Sequence, residues 1–338
     1  MQTMLAARYL GPHRIEPVRV PVPEIGDEEA LIRVDACGFC GSDIGIVSGV
    51  HPRAKEPLTV GHEFCGKVVA IKTRGRGVKT GDFVTMYPLI SCDQCFTCRG
   101  GNPHVCRSLR LYGFDVDGGM AEYVKVPVPS LIRLPDNMSP YLGAIIEPLA
   151  VAVHGVSRAP LQRARTAVVI GAGPIGLLTA LAARARGIEH VLISDILLSR
   201  IQLAADLGLT ARAAGDDVKG LVSEMTSGEG ADLVFECAGS AASALEMTSL
   251  VRPLGAIVNV SVFKRPVPLE MQAVNFKELT IVGSRVYTRE DFAEAVRLAA
   301  VLPLRPIVTH SFALWDVQSA YGCFERSEGV CKVVVLPK

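Results

Sequence analysis

Residues 166–176 read Thr-Ala-Val-Val-Ile-Gly-Ala-Gly-Pro-Ile-Gly, and this stretch decides the fold of the second half of the chain. Its first five residues form a nearly continuous apolar run, which predicts a buried β-strand. Pro174 suits the first turn of a helix, and the apolar residues after it predict a helix that extends to Arg186. The stretch therefore predicts a strand, a tight turn and a helix.

The turn between this strand and this helix fits the pattern G-x-G-x-x-G, with Pro174 and Ile175 before the third glycine. Gly171 permits the tight turn, Gly173 lets the backbone approach a pyrophosphate, and Gly176 lets the helix pack closely on the strand. Free N–H groups at the helix N-terminus would bind the phosphates. The turn therefore predicts a dinucleotide site, and a purely structural glycine turn is the alternative.

An acidic residue closes the next predicted strand, residues 190–195. Asp195 lies 19 residues past Gly176, where a carboxylate binds ribose hydroxyls and repels a 2′-phosphate. The sequence therefore favours NAD as the cofactor, with NADP as the alternative. Arg200, in the predicted helix 197–207, is a further candidate for cofactor binding.

Strands and helices continue to alternate after Asp195, which predicts a parallel sheet covered by helices on both faces. Further strands are predicted at 232–237, 256–260 and 280–282. The first 140 residues instead predict short strands punctuated by Gly and Pro, at 29–34, 64–71, 82–86 and 121–126. The tail predicts a helix at 289–301 and a strand at 332–336 that rejoins the first domain.

Bulk composition narrows the functional classes. A length of 338 residues favours two domains, and a hydrophobic fraction of 49% is enough for both to have packed cores. The formal net charge of +1 gives no electrostatic reason to expect nucleic acid or a membrane as partner. The first 20 residues lack the apolar core of a secretory signal. The apolar stretch 167–183 contains three glycines and a proline, so we interpret it as a strand and helix rather than a membrane span. We expect a cytoplasmic protein.

Four of the ten cysteines lie within fifteen residues, in the pattern Cys92-x2-Cys95-x2-Cys98-x7-Cys106. In a reducing compartment such clustering indicates a metal site rather than disulfides. Four thiolates suit tetrahedral zinc and leave no open position, so this site is predicted to be structural. The alternatives are an iron–sulfur cluster and a zinc ribbon that binds nucleic acid, and no basic or aromatic patch supports the ribbon.

A second candidate metal site is spread over three short motifs: Cys-Gly-Ser-Asp at 40–43, Gly-His-Glu at 61–63 and Glu-Pro-Leu at 147–149. Together they supply a thiolate, an imidazole and carboxylates, a set that suits a three-ligand zinc with a fourth position for water or substrate. Spacing alone makes only a weak case, because an isolated histidine is more often ordinary structure than a ligand.

The order of all these motifs resembles the zinc-dependent medium-chain dehydrogenase/reductase superfamily, over nearly the whole chain. Glu147 and the run Gly283-Ser284-Arg285 resemble its polyol branch, which includes sorbitol, butanediol, threonine and sugar-acid dehydrogenases. The resemblance implies an α/β fold: a doubly wound Rossmann domain at 143–285 that binds NAD, and a discontinuous, mostly-β GroES-like catalytic domain at 1–142 and 286–338.

The resemblance also implies two zinc ions per chain, one held by the four cysteines and one catalytic. Cys40 and His62 would bind the catalytic zinc. Glu63 would be either a ligand or a neighbour of the ligands, and Glu147 would hold the zinc or its water.

Four further residues take roles from the same resemblance. Ser42 would take the substrate's hydroxyl proton, Asp43 would orient the imidazole of His62, and Arg285 would bind substrate or brace the domains. Cys37 forms a C-x-x-C with the zinc cysteine, but we interpret it as a buried core residue.

One position departs from the pattern. Many relatives have a histidine five residues after the zinc cysteine that relays the proton to solvent, and this chain has Gly45 there. His51 is a candidate substitute, with an ordinary loop histidine as the alternative.

The implied activity is oxidation of a secondary alcohol, from a small polyol, sugar alcohol or sugar acid, by hydride transfer to NAD. Butanediol or threonine is the alternative substrate. The alternative activities are a zinc-free reductase and a non-catalytic dinucleotide sensor. The partners implied are a small-molecule alcohol and further copies of the chain in a homotetramer or dimer.

Overall fold

The computed structural model describes residues 2–73, 77–160, 162, 164–214, 217–326 and 328–337, and it contains two compact units. The first unit comprises Met1–Glu147 and Val308–Lys338, and the second comprises Pro148–Ile307. The first unit is therefore discontinuous, as the tail pattern predicts. The bounds differ from the expected ones, because residues 286–307 belong to the second unit and residues 143–147 to the first.

The elements largely follow the predicted pattern. The strands are β1 (Thr3–Gly11), β2 (Arg14–Pro21), β3 (Glu29–Gly38), β4 (Leu58–Thr59), β5 (Glu63–Lys72), β6 (Phe83–Met86), β7 (Leu89–Ile90), β8 (Arg110–Leu111), β9 (Tyr123–Pro127), β10 (Leu131–Arg133), β11 (Thr166–Ile170), β12 (His190–Asp195), β13 (Thr210–Ala213), β14 (Ala231–Glu236), β15 (Val251–Asn259), β16 (Thr280–Gly283), β17 (Val308–Ala313) and β18 (Lys332–Leu336). The helices are α1 (Gly41–Val47), α2 (Phe96–Arg99), α3 (Pro140–Gly143), α4 (Ile146–Ser157), α5 (Pro174–Ala185), α6 (Leu198–Asp206), α7 (Val218–Met225), α8 (Ala241–Leu250), α9 (Met271–Phe276), α10 (Arg289–Ala299) and α11 (Val317–Arg326).

The first unit is built on a sheet with the strand order β10-β6-β5-β3-β18-β17. Strand β9 pairs with the first half of β3, residues 29–33. Along β3 buried and partly exposed residues alternate, as expected for a strand with one face in a core. The last strand, β18, lies antiparallel to β3 with Val334 opposite Gly38, so the predicted return of the tail is confirmed. The short antiparallel pair β7–β8 flanks the segment that carries the four clustered cysteines.

The second unit is a six-stranded parallel sheet in the order β13-β12-β11-β14-β15-β16. This is the doubly wound order, with the direction of winding reversing between β11 and β14. Dinucleotides bind at such a switch point, outside the carboxyl ends of the strands. The predicted fold class is therefore confirmed, and the loops that follow β11 and β14 lie at the expected binding edge.

Helix α10 explains why the domain boundary differs from the predicted one. Asp291 caps its own helix by accepting hydrogen bonds from the backbone and hydroxyl of Thr288, at 3.1 and 2.8 Å. Its Oδ2 also lies 2.7 Å from Nδ1 of His154, which is buried in α4. This hydrogen bond ties α10 to α4 within the second unit.

The Asp291 carboxylate should make stability depend on pH. Burial raises the pKa of Asp291, but the hydrogen bonds from His154 and Thr288 outweigh burial and lower the pKa to about 2. A carboxylate with a depressed pKa stabilises the fold above its ordinary pKa of about 3.9, and that contribution disappears as pH falls toward 2. We expect Asp291→Asn to lower the free energy of unfolding by about 1–2 kcal/mol at neutral pH, by about half as much near pH 3 and by little near pH 2. Urea unfolding followed by circular dichroism at several pH values measures this difference, and a difference independent of pH would contradict it.

The apolar stretch 167–183 forms β11 and most of α5. Within the described parts of the chain, no helix has both the length and the apolar character needed to cross a bilayer.

Candidate functional site

The glycine turn after β11 has the geometry that its sequence predicts. Gly171 has a φ of +99°, a conformation that favours glycine, and its N–H donates to the carbonyl of Ser194 on β12 at 2.7 Å. A Cβ on Gly176 would overlap the carbonyl oxygen of Gly171. Close packing of helix on turn therefore requires glycine at position 176.

The start of α5 offers space and donors for an anion. Gly173 is the N-cap residue, and Pro174 and Ile175 form the first turn. A Cβ on Gly173 would lie 3.8 Å from Nη1 of Arg200, so the space beside the first N–H groups of the helix is open. Free N–H groups together with the positive end of a helix dipole suit a pyrophosphate.

Asp195 has a second task that the sequence did not reveal. Its Oδ2 accepts a hydrogen bond from Ala172 N at 2.7 Å, and its Oδ1 accepts one from Leu197 N at 2.9 Å. The guanidinium of Arg200 lies 3.5 Å from Oδ2. The carboxylate therefore fixes the glycine turn, and its remaining lone pairs still allow it to accept hydrogen bonds from ribose hydroxyls.

The loop after β14 is fixed by another buried carboxylate, which motif reasoning missed. Glu236 accepts hydrogen bonds from Ala238 N at 2.9 Å, from Gly239 N at 2.7 Å and from the hydroxyl of Ser261. Asp195 thus holds the glycine turn after β11, and Glu236 holds the loop after β14. In the sequence, each is an acidic residue at the end of a predicted strand.

The four clustered cysteines are arranged for one tetrahedral ion. The Sγ–Sγ distances are 3.4 Å for Cys95–Cys98 and Cys92–Cys106, 3.9 Å for Cys95–Cys106 and 4.0 Å for Cys92–Cys98. A zinc–sulfur bond of about 2.3 Å gives a tetrahedron with an edge of about 3.8 Å, which these distances bracket. The hydroxyl of Thr97 and nearby backbone amides lower the pKa of the Cys95 thiol, which favours a thiolate ligand.

The second candidate site begins at α1. Cys40 is the N-cap residue of this helix, and its N–H donates to Oδ2 of Asp43 at 2.8 Å. Burial raises the pKa of Asp43 to about 6. The hydrogen bond expected between Asp43 and His62 is missing, because Asp43 Oδ1 and His62 Nδ1 both lack a partner among the described residues. Asp43 instead holds the N-terminus of α1, which fixes the position of Cys40.

Three of the predicted ligands lie together at the start of β5. The ligand atoms of Cys40, His62 and Glu63 are all within 4.8 Å of one another. His62 and Glu63 are both buried, and Gly61 before them has a φ of +95° that only glycine adopts readily. These residues fit a metal ion, because they supply a thiolate, an imidazole and a carboxylate at close range.

The electrostatic surroundings of His62 favour a cation. Burial alone would lower the pKa of His62, but the hydrogen bond and charge of Cys40, with the charges of Glu147 and Asp43, raise it to about 10. A bound divalent metal would balance these negative charges while the imidazole of His62 stays neutral. The buried Oγ of Ser42 and Nδ1 of His62 have no hydrogen-bond partner in the described structure, which leaves both free for groups that bind there.

Glu147 lies outside the close group of ligand atoms. It lies buried in the first turn of α4 and influences the pKa of His62, but among the described residues the close group contains only Cys40, His62 and Glu63. The carboxylate that joins Cys40 and His62 in this close group is that of Glu63.

Lys332 is a residue of this site that sequence reasoning missed. It lies on β18, is 2% exposed, and forms an ion pair with Glu63. Its only signal in the sequence is a charge at the start of the apolar run 333–336, which the pattern assigned to an ordinary strand.

The remaining candidates lie apart from this group. A Cβ on Gly45 would meet open space, and the carbonyl of Gly45 accepts a hydrogen bond from His51 N at 2.9 Å. His51 Nδ1 lies 3.1 Å from the N–H of Ala54, and the Phe114 ring contacts the rings of both His51 and His62. His51 therefore has its Nδ1 occupied as an acceptor. Arg285 is exposed, two residues past the end of β16.

Comparison with known proteins agrees with this geometry. Residues 26–136 match the alcohol dehydrogenase GroES-like domain family, and residues 174–301 match the zinc-binding dehydrogenase family. The chain is 35% identical to L-threonine 3-dehydrogenase of Bacillus subtilis over 94% of each protein. It is 34% identical to 2-dehydro-3-deoxy-L-galactonate 5-dehydrogenase of Pseudoalteromonas atlantica over 98% of each protein.

A solved structure is similar over its whole length. This is a zinc-binding dehydrogenase from Sinorhizobium meliloti bound to NADP, with 32% identity, a TM-score of 0.92 and 100% of both chains covered. The chain thus belongs to the polyol branch of the zinc-dependent medium-chain dehydrogenase/reductase superfamily, and it is an NAD(P)-linked oxidoreductase that acts on CH–OH groups.

Proposed function

We propose that the chain oxidises a secondary alcohol of a small polyol, sugar alcohol or sugar acid to the ketone, with NAD as the acceptor and two zinc ions per chain. The observation that carries this proposal is the close group of Cys40, His62 and Glu63, beside the unpartnered hydroxyl of Ser42. Such a group suits a catalytic metal with an open position, whereas four thiolates suit a structural one.

The reaction removes two hydrogens from the substrate: the hydride goes to the nicotinamide ring and the hydroxyl proton goes to the protein. Bound zinc would supply a Lewis acid that lowers the pKa of the substrate hydroxyl. Ser42 would relay that proton by accepting it at Oγ while giving up its own hydroxyl proton toward solvent, because its buried oxygen has no other partner within the described residues. The products are a ketone, the reduced dinucleotide and one proton.

The catalytic ligand set is best described as Cys40, His62 and Glu63, with Glu147 close by. Asp43 positions Cys40 through the N-terminus of α1. We keep Arg285 as the candidate for binding substrate hydroxyls or a carboxylate, because an exposed guanidinium favours such oxygen-rich groups. The four clustered cysteines hold the second zinc.

The test is the zinc content of the purified protein, together with NAD reduction against polyols, 2,3-butanediol, threonine and sugar acids. The relatives named above make threonine and sugar acids the first substrates to try. Two zinc ions per chain with turnover of one substrate would support the proposal. Dinucleotide binding without turnover of any alcohol would instead favour the alternative of a non-catalytic sensor.

Cofactor choice gives a further prediction. We expect the parent chain to prefer NAD, because the Asp195 carboxylate repels a 2′-phosphate. Asp195→Asn removes the charge and leaves one oxygen to accept a backbone N–H, so the glycine turn loses one hydrogen bond and binding of both dinucleotides should weaken. The substitution should lower the ratio of kcat/KM for NAD to kcat/KM for NADP by about 10- to 100-fold, since charged groups contribute about 1.5–3 kcal/mol to such contacts.

The matched control for this prediction is Arg200→Gln. Arg200 is the cation beside Asp195, so its loss should move the same ratio in the opposite direction. A parent chain that prefers NADP would contradict the proposed cofactor, and the NADP bound by the Sinorhizobium meliloti protein makes this comparison worthwhile.

We also propose a cytoplasmic homo-oligomer, a dimer or tetramer. Edge strand β16 carries Ile281, and Leu254 and Phe276 are also exposed apolar residues of the second unit, at 68% and 76% exposure. Exposed apolar side chains and a free strand edge favour pairing with another copy. Light scattering after size-exclusion chromatography measures the mass directly.

A further inference from the structure

The buried ammonium group of Lys332 is unusual because lysine is rarely buried without a specific partner. Lys332 Nζ forms an ion pair with Glu63 Oε2 and donates a hydrogen bond to the carbonyl of Phe39 at 2.8 Å. The exposed fractions of the Lys332 and Glu63 side chains are 3% and 1%. The pair is therefore desolvated, and removing either partner would leave a buried charge.

The surrounding backbone leaves space for this pair. A Cβ on Gly38 would overlap Glu63 Oε2 and would lie 3.0 Å from Lys332 Cε. Gly38 sits opposite Val334 in the pairing of β3 with β18, so the register of these strands brings Lys332 to the glycine. Only a residue without a side chain at position 38 allows the lysine and the glutamate to meet.

Lys332 shares its anionic neighbours with the candidate catalytic metal. Glu63 contacts it directly, and the charges of Cys40 and Glu147 also act on it. Cys40 and Glu63 belong to the close group around His62. A bound metal ion and the ammonium group therefore compete for the carboxylate of Glu63.

We infer that Lys332 is a positioning residue of the catalytic metal centre, which holds one oxygen of Glu63 and so limits this carboxylate to a single ligand atom. The inference rests on the proposed catalytic metal. A catalytic zinc needs an open position for substrate, and a carboxylate that binds through both oxygens would fill it. Lys332 thus keeps that position open by acting through Glu63.

The variant Lys332→Met removes the charge and keeps an unbranched side chain of similar length. Without the ammonium group, both oxygens of Glu63 would be available to a bound metal, and the site would be more negative. We expect the catalytic zinc to leave about tenfold more slowly, an effect of the size that the loss of neighbours of metal ligands usually has in the opposite direction, about 10- to 100-fold. Alcohol turnover should fall in the same protein. If Lys332 had only a structural role, Lys332→Met would instead release zinc faster than the parent, because a loosened site holds its metal less tightly.

The experiment measures the rate of zinc transfer to a chelator from the purified, fully loaded protein. Zinc held by Cys92, Cys95, Cys98 and Cys106 provides an internal reference. Replacement of zinc by cobalt gives a second readout, because added coordination weakens the visible absorption bands of tetrahedral cobalt. The variant-minus-parent spectrum cancels the contribution of the four-cysteine site.

Two further variants show whether Lys332 acts through Glu63. In Glu63→Gln/Lys332→Met the amide cannot replace the carboxylate, so the slower release should disappear. Lys277→Met is the matched control, because Lys277 is a partly buried lysine of the second unit that donates to the carbonyls of Thr248 and Val251. This control should release zinc at the parent rate.

Unchanged or faster zinc release from folded Lys332→Met would overturn the inference, and so would slow release that persists in the double variant. If Lys332→Met does not fold, Lys332→Gln is measured instead, since glutamine retains a donor for Phe39. Failure of both to fold would assign Lys332 to stability alone and would also overturn the inference. A parent chain that turns over no alcohol would refute the proposed function without altering these release rates.

Discussion

Replacing Cys40 by alanine is expected to reduce the zinc content from two ions per chain to one and to lower kcat/KM at least about 10³-fold. The size of the effect follows from the several kcal/mol by which a bound metal stabilises the transition state. Cys40 supplies the thiolate of the close group with His62 and Glu63, and no other described cysteine belongs to that group. Metal analysis and steady-state kinetics on the same preparation measure both effects.

Cys37 provides the matched control for this substitution. It lies three residues before Cys40 and is fully buried, and its Sγ lies beside Gly61. Cys37→Ala should keep two zinc ions and most of the activity, because Cys37 packs in the core of the first unit. Loss of zinc from Cys37→Ala, or retention of both ions by Cys40→Ala, would contradict the assigned ligand set.

Replacing Cys92 by alanine should destabilise the segment between β7 and β8 and lower the midpoint of thermal unfolding by about 10 °C or more. Structural zinc sites contribute a large part of the folding free energy of the segments that bind them. The segment has few apolar contacts of its own, and Phe96 within it is 86% exposed. One zinc ion should be lost, and trypsin should cleave near Arg99 and Arg107 much faster than in the parent.

The control for this effect is Cys323→Ala, which removes a buried thiol of α11 away from the cluster. It should cost only about 1 kcal/mol, as expected for a small cavity, and should keep the full zinc content. If Cys92→Ala retained two zinc ions and resisted trypsin like the parent, the four cysteines would not be a structural zinc site.

Much of the fold was predictable because its signals are local. The strand-like runs 166–170 and 332–336 predicted β11 and β18 with the bounds that the structure has. The three glycines at 171, 173 and 176 predicted the turn, and the structure requires glycine at 171 for its positive φ and at 176 for its contact with the Gly171 carbonyl. The structural metal site was equally predictable, since its four cysteines lie within fifteen consecutive residues.

Other features were decided by contacts between distant parts of the chain. The boundary of the second unit was predicted wrongly for residues 286–307, because the hydrogen bond between His154 and Asp291 joins helices far apart in sequence. Asp43 was expected to orient His62, but the turn geometry of α1 directs one of its oxygens to the N–H of Cys40. Neither outcome has a signature in the local residue pattern.

The sequence by itself determined the covered parallel sheet, the glycine turn and the four-cysteine cluster. These depend on periodicity and short spacing, which act over a few residues, whereas the doubly wound order and the catalytic motifs came from the resemblance to a known family. Only the tertiary structure brings Glu63 into one close group with Cys40 and His62 and pairs Lys332 with Glu63. The pairing of β18 with β3 creates that ion pair, and strand pairing across the whole chain is a property of packing that no local motif encodes.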